Sequence, residues 1–394
     1  MRLLYSWLSI MFGLISLAQI TSQSYHEITT GAQQTKLYLP ILKNKKVAIV
    51  TNASGIIGNK HLVDTLLKHK IKIVKIFGPE HGFRGTADAG EKVKSGKDPI
   101  TGIPVISLYG SHKKPTTEDL KGIDIIVFDI QDVGVRFYTY ISTMTYVMEA
   151  CAENKKDLII LDRPNPNGYY IDGPKMIDKY KSFLGLHQVP LVYGMTCGEY
   201  AKMVNGEKWL KDSLTCKLTV IPLKNYNRSK FISGLPVKPS PNLPNDTAIL
   251  LYPSLGLFEG TILSMGRGTN YPFQISGTPY TTSFEFKFMP GSNAISKKPK
   301  YQDSLCFGID FRPLFQQQLQ TKSININWLA LFYEKANDKQ SMFFDRNFNY
   351  HAGNDDLKQQ IISKISEKDI RQSWQASLEA FKVIRKKYLI YKDF

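Results

Sequence analysis

Cysteine is scarce in this chain: Cys151, Cys197, Cys216 and Cys306 are the four in 394 residues, and no pair has CxxC spacing. That excludes a disulfide-stapled framework and leaves cysteine zinc ligation without a signature, so each thiol reads as a small buried apolar side chain. Past the first two dozen residues there is no long apolar run and hence no candidate for a membrane-spanning helix. Acidic residues are outnumbered, 34 against 51 basic, for a net charge of +17. The lysines are dispersed, with small clusters at 43–46, 297–300 and 385–387. No nucleic-acid motif accompanies them. The charge therefore points to an anionic envelope polymer or an acidic sugar, or to a merely soluble basic surface. Neither a dinucleotide nor a Walker glycine pattern follows the first strand, where residues 51–58 read Thr-Asn-Ala-Ser-Gly-Ile-Ile-Gly, so no nucleotide cofactor is implied. Internal repeats and long low-complexity segments are also missing.

What is present begins with an export signal. Met1-Arg2 precedes an uncharged stretch from Leu3 to Ala18, followed by the polar Gln19 to Ser24. This is the pattern of a secretory signal peptide over residues 1–23, which places the mature chain in the periplasm or outside the cell. The alternative is an uncleaved N-terminal anchor. With no cysteine near the cleavage point, a lipoprotein is not indicated.

An apolar content of 42% suffices for a buried core, and the length suits two domains. Short β-branched runs at 46–52, 71–77, 103–108, 124–129, 157–162 and 216–223 alternate with helical patterns at 61–70, 116–120, 139–154 and 196–204. Continuous apolar strands alternating with helices argue for a parallel sheet covered on both faces, a Rossmann-like α/β layer. Thr196 and Glu199 fit a capping box. The four prolines of 235–244 mark a rigid extended crossing, and the domain boundary falls near 240. The division is a Rossmann-like catalytic domain at 24–240 and a smaller C-terminal α/β domain at 241–394, with a cleft between them. Within the latter, Arg371 to Tyr388 is an amphipathic helix with Trp374, Leu378, Phe381 and Ile384 on its apolar face.

The polar residues gather at one edge. Asn52, Glu80, Tyr109, Asp129, Gln131, Asp162 and Arg163 each follow the last apolar residue of a strand, where open α/β sheets bind ligands. The densest of these stretches is Gly78-Pro79-Glu80-His81-Gly82-Phe83-Arg84-Gly85, continuing to Glu91, with four glycines and a proline in fourteen residues. It is a poor helix and a poor strand, yet it carries an acid, an imidazole and a guanidinium. Glu80, flanked by Pro79 and near Phe83, is the best general acid/base; the competing reading pairs it with Arg84 to hold the loop. His81 orients Glu80 or packs the loop. In the second dense stretch, 129–140, Asp129 or Asp132 is the partner carboxylate, with Asp132 also suited to capping the turn. There Arg136, Tyr138 and Tyr140 can grip an anion and stack on a sugar. Glu259 and Arg267 lie in a glycine-punctuated loop that would form the facing wall. A weaker reading, a metal-dependent hydrolase using Glu80, His81 and Asp88 or Asp129, lacks defensible ligand spacing, and no metal is expected.

The runs GPEHGFRG (78–85), DIQDVGVRFYTY (129–140), LDRPNPNG (161–168), SPNLPN (240–245), LFEGT with SMGRGT (257–269) and FKVIRKKYLIYKDF (381–394) closely resemble the bacterial exo-β-N-acetylmuramidases, long classed as a domain of unknown function. The resemblance spans nearly everything after the export segment, in order. It implies hydrolysis of terminal non-reducing β-1,4-linked N-acetylmuramic acid (MurNAc) from peptide-free peptidoglycan fragments. The partners it implies are MurNAc-GlcNAc saccharides, where GlcNAc is N-acetylglucosamine. The family's proposed catalytic glutamate matches Glu80. Arg84, Arg136, Arg163 and Arg267 become candidates for the lactyl carboxylate, with Asn52, His81, Gln131, Tyr138, Tyr140, Asn165 and Asn242 as further substrate-binding residues. A substrate-assisted route is favoured, with Glu80 protonating the leaving oxygen and Asp129 or Glu259 steadying an oxazolinium. The alternative is a non-catalytic binding protein for cell-wall fragments.

Overall fold

The computed structural model describes residues 21–84 and 95–394. Most of the export segment and residues 85–94, including Asp88, lie outside the described residues. Six strands run parallel: Lys46–Thr51 (β1), Lys72–Gly78 (β2), Pro104–Ser107 (β3), Ile125–Asp129 (β4), Asp157–Leu161 (β5) and Lys217–Ile221 (β6). Their order is β6-β5-β4-β1-β2-β3, and the two-residue strand Gly96–Lys97 closes the β3 edge antiparallel as the seventh. The chain builds outward from β1 to β3, then returns to lay β4 on the other side of β1. Ligand crevices form at such a reversal.

The central strands β1, β4 and β5 are buried on both faces, which is why each reads as an unbroken apolar run, whereas the outer strands β3 and β6 keep exposed positions. Side chains alternate across the sheet. Ala48, Val50, Ile126, Phe128, Leu158 and Ile160 join one core. Val47, Ile49, Ile125, Val127, Ile159 and Leu161 join the other, under helices Thr35–Leu42 (α1) and Leu62–Lys68 (α2). The first core carries Tyr140–Glu153 (α3) and Cys197–Gly206 (α4), and it continues into the C-terminal domain through Phe258, Leu329, Trp374 and Phe381. The capping box of α4 forms as read, with Thr196 and Glu199 each bonding the other's backbone. By contrast, 116–120 makes only turns. Asp119 accepts from both Thr116 N and Thr116 Oγ1 at 2.8 Å, and Gly122 with positive φ ends the segment before a second helical turn.

The C-terminal domain opens with a helix, Asp246–Leu255 (α5), that carries Pro253 in its last turn. Asn245 caps it, accepting from Ala248 N at 3.0 Å. Proline at 253 cannot donate to the carbonyl of Ile249 four residues back. Asn167 of the first domain takes that place, its Nδ2 donating to Ile249 O at 3.1 Å. Three antiparallel strands follow, Ile275–Thr278 (β7), Phe286–Phe288 (β8) and Cys306–Asp310 (β9), in the order β7-β9-β8.

The last helix, Glu367–Lys386 (α6), buries Ile370, Trp374, Leu378, Phe381 and Arg385, and Ile384 is only half-buried. Arg385 earns its buried place by donating to Gly194 O at 2.8 Å and to Asp393 Oδ1 at 2.8 Å. Tyr391 OH donates to Asp162 Oδ2 at 2.5 Å and accepts from Leu223 N at 2.8 Å, which ties the chain terminus to the end of β5. Among the described residues no helix is long and apolar enough to cross a membrane.

Candidate active site

A cavity of about 790 Å³ lies between the carboxyl edge of the sheet and the C-terminal domain. Its first wall begins where β2 ends. The chain folds back so tightly after Gly78 that a Cβ there would stand 3.0 Å from Phe83 N. Gly82 N donates to Pro79 O at 2.9 Å, and both His81 (φ 67°) and Gly82 (φ 75°) take left-handed backbone. For histidine that conformation is uncommon, and it turns Glu80 and His81 into the cavity. Thr139, the N-cap of α3, donates to Glu80 Oε2 at 3.2 Å, and Tyr109, just beyond β3, hydrogen-bonds the same carboxylate. Burial and the adjacent Glu80 charge push the Tyr109 phenol well above its ordinary value, so it remains a donor. The His81 Nε2 lies 3.3 Å from Ser240 Oγ.

The floor is aromatic. Tyr138 and Tyr140 meet edge to face at 4.9 Å, and Tyr252 of α5 contacts Phe137 at 5.3 Å, Tyr138 at 5.9 Å and Phe273 at 4.9 Å. Tyr138 OH donates to Pro239 O at 2.6 Å, which fastens the proline-rich crossing to the site.

The facing wall comes from the second domain. Arg267, between the left-handed Gly266 and Gly268, donates through Nη2 to Glu259 Oε1 at 2.5 Å and lies 5.1 Å over the Phe273 ring. His351 Nε2 stands 4.0 Å from Glu259 Oε2. Burial pulls the Arg267 guanidinium down, but the Glu259 carboxylate, with Glu80 contributing, holds it above its usual range. Burial drives the Tyr252 phenol far up, reinforced by Glu259 and Glu80. Glu80 and Glu259 are the only carboxylic acids among the described lining residues. Lys297, Lys298 and Lys300 complete that rim, and Lys300 donates to Thr261 O at 2.5 Å.

Of the residues read from the sequence, Glu80, His81, Tyr138, Tyr140, Asn242, Glu259 and Arg267 converge on this cavity. The others do not line it. Asp129 is fully buried against Arg163, whose Nε and Nη2 donate to its two oxygens at 2.6 and 3.0 Å. Arg163 also donates to Tyr25 OH and Ile56 O, so its donors are committed inside the protein. Arg136 is spent on four carbonyl oxygens, of Pro174, Val189, His351 and Ala352, and burial lowers it to about 9. Arg84 forks onto Asp98 at 3.1 and 2.9 Å and packs on Phe83; Asp98 takes the place of Glu80 in the expected pair.

The remaining amides serve the scaffold. Gln131 Nε2 donates to Asp132 O and Pro164 O at 2.7 and 2.6 Å. Asn165 Nδ2 donates to Met195 O at 2.8 Å and its Oδ1 accepts from Asn167 N at 2.9 Å. Asn52 reaches the cavity at one remove, donating from Nδ2 to Tyr140 OH at 2.9 Å. Among the described residues no three His, Cys, Asp or Glu side chains are grouped so as to hold a metal ion. Thr139, Tyr252, Phe273, His351 and the lysine rim were not singled out as site residues. The lysines showed only as a charge cluster, and Thr139 sat unremarked inside the 129–140 motif.

Asp132 caps the turn, accepting from Gly134 N at 2.7 Å and from Tyr193 OH. Burial pushes its carboxyl up to about 7. The folded state thus favours the protonated form relative to an unfolded pKa of about 3.9. Its contribution to stability is full below that unfolded value and is lost as pH rises toward 7. Asp132→Asn, which does not titrate, is expected to narrow the gap between the melting temperatures at pH 5 and pH 8 by roughly 5 °C. Thermal melts of both proteins at the two pH values check this, and an unchanged gap contradicts it.

Two family models match the chain. Residues 47–247 match the N-terminal model of the exo-beta-N-acetylmuramidase NamZ, and residues 250–391 match its C-terminal model. The sequence is 39% identical over 406 residues to the peptidoglycan beta-N-acetylmuramidase NamZ of Bacillus subtilis (strain 168), covering 97% of each chain. It is 46% identical to a DUF1343 family protein from Bacteroides fragilis, with a TM-score of 0.86 over 93% of this chain and 99% of that one. A second DUF1343 protein from the same organism is 29% identical, with a TM-score of 0.77 at the same coverage.

Proposed function

The chain belongs to the exo-beta-N-acetylmuramidase NamZ family, and from that premise we propose that it releases terminal non-reducing MurNAc from peptide-free peptidoglycan fragments. It is a glycoside hydrolase. The observation that carries the finer reading is the meeting of Glu80 and Glu259, one from each domain, across a single cavity floored by tyrosines. Glycosidase chemistry uses such a pair of acidic groups.

Glu80 is the general acid. Its proton passes to the glycosidic oxygen as the C1–O bond breaks, and the carbonyl oxygen of the substrate's own 2-acetamido group closes on C1. Glu259, bound by Arg267, is the acceptor that steadies the acetamido N–H as positive charge develops on it. Water then attacks C1, Glu80 takes its proton, and the oxazolinium reopens with the starting configuration restored. Asp129 is withdrawn from this role by its pairing with Arg163.

The lactyl carboxylate faces Arg267 and the rim lysines. A stem peptide would turn that carboxylate into a neutral amide and add bulk, so peptide-bearing MurNAc is refused. Loss of one charge-assisted contact costs about 1.5–3 kcal/mol. Arg267→Gln is therefore expected to lower kcat/KM on both MurNAc-GlcNAc and a GlcNAc-ended analogue by loosening Glu259, and on MurNAc-GlcNAc by a further factor of roughly 10 to 100. Steady-state kinetics on the two disaccharides measure it, and equal losses on both would take the carboxylate away from Arg267.

The test of the activity is release of free MurNAc from purified MurNAc-GlcNAc, followed by proton NMR. A first-formed β-anomer agrees with this route, and a first-formed α-anomer contradicts it. The proposal extends to export, with residues 1–23 removed; the N-terminal sequence of the secreted protein reports on it.

A further inference from the structure

The main cavity does not end at Arg267. Asn242 lines it and also a smaller cavity of about 190 Å³, which shares Gly268, Thr269, Asn270 and Asn293 with an outer cavity of about 500 Å³. The three adjoin through these shared lining residues, a track that passes Gly268. That corner is built for close approach: Gly268 has φ 81°, and a Cβ there would stand 2.5 Å from Pro299 Cγ. Arg267 and Tyr271 are four residues apart, so the backbone of Tyr271 lies within about 14 Å of that of Arg267 in the facing wall of the active site.

The outer cavity has the surface that a sugar ring uses. Tyr271 is 40% exposed. Phe286 and Phe288 alternate onto one face of the outer strand β8, their centroids 6.0 Å apart and their planes 31° from parallel. Arg312 lies 3.7 Å over the Tyr271 ring, fixed by Asp310 at 2.9 and 2.7 Å. Aromatic faces pack against the C–H faces of pyranoses, and the asparagine amides of the track suit hydroxyl and acetamido groups.

Resting on the muramidase reading, we propose that this track is an accessory saccharide site that holds the leaving glycan beyond the scissile bond, with Tyr271 and Phe288 as its aromatic platform. The terminal MurNAc occupies the main cavity, and the β-1,4-linked amino sugars that follow run past Gly268 onto the platform. Longer chains are then bound and cut better than the disaccharide, although the cleaved bond is the same.

The test compares MurNAc-GlcNAc with the tetrasaccharide of two such units. The wild type is expected to show about tenfold higher kcat/KM on the tetrasaccharide. Tyr271→Ala and Phe288→Ala should lose that gain and keep wild-type activity on the disaccharide, which also serves as their folding control. Length-independent kcat/KM in the wild type, or equal losses on both substrates, overturns the site. Calorimetric titration of Glu80→Gln with the same two saccharides gives an independent reading. Tighter tetrasaccharide binding, abolished in Glu80→Gln/Tyr271→Ala, supports the site, and equal affinities refute it. If neither saccharide is cleaved, the muramidase reading fails, and the titration still decides whether the track binds glycan.

Discussion

Glu80→Gln is expected to fold like the wild type and to lose about 10³-fold or more of kcat on MurNAc-GlcNAc, with KM little changed. The substitution is nearly isosteric. Thr139 Oγ1 and Tyr109 can still bond the side-chain oxygen, so the tight turn from Pro79 to Gly82 keeps its anchors. What disappears is the ability to give a proton to the departing oxygen and to take one from water. General acid–base catalysis contributes about 10²- to 10⁴-fold, and Glu80 serves both half-reactions, so the upper part of that range applies. The pH–rate profile should also lose the limb set by this carboxyl. A variant within tenfold of wild type at every pH would remove Glu80 from the chemistry.

The fold could be read from the chain because the central strands are buried on both faces, so that Val47 to Thr51 and Ile125 to Asp129 stand out with no partner in view. The position of Glu80 followed from chain order, since a polar loop after a parallel strand must lie at the carboxyl edge. Glu259 and Arg267 stood out because glycines punctuate their loop; of these, Gly266 and Gly268 on either side of Arg267 have positive φ, and few other residues take that backbone at low cost. Chain order gives the edge on which a residue lies but not the direction of its side chain. Arg163, two residues past the end of β5, reaches across to the end of the neighbouring β4, and Arg136 turns inward onto carbonyls contributed from as far away as residues 351 and 352. Such pairings rest on contacts far apart in the chain. Helix α5 was hidden for a related reason: the cost of Pro253 is offset by Asn167, 86 residues earlier, taking the carbonyl it leaves free.

Arg163→Met should therefore act on stability, lowering the free energy of unfolding by about 3–5 kcal/mol in urea denaturation. Asp129 and Arg163 are exposed by 0% and 2% at their side chains, so truncating the arginine leaves a carboxylate with neither solvent nor counter-ion. Tyr25 OH and Ile56 O lose a donor in the same step. The pair itself is a weak source of net stability, because taking two charges out of water offsets much of their attraction. The double variant Asp129→Leu/Arg163→Met is for that reason expected to be more stable than Arg163→Met alone, a strongly non-additive result. Had this arginine been held for the lactyl carboxylate, the opposite pattern would appear: an unchanged unfolding midpoint with a raised KM. That outcome would return Arg163 to the substrate, and Asp129 with it to the list of possible partners for Glu80.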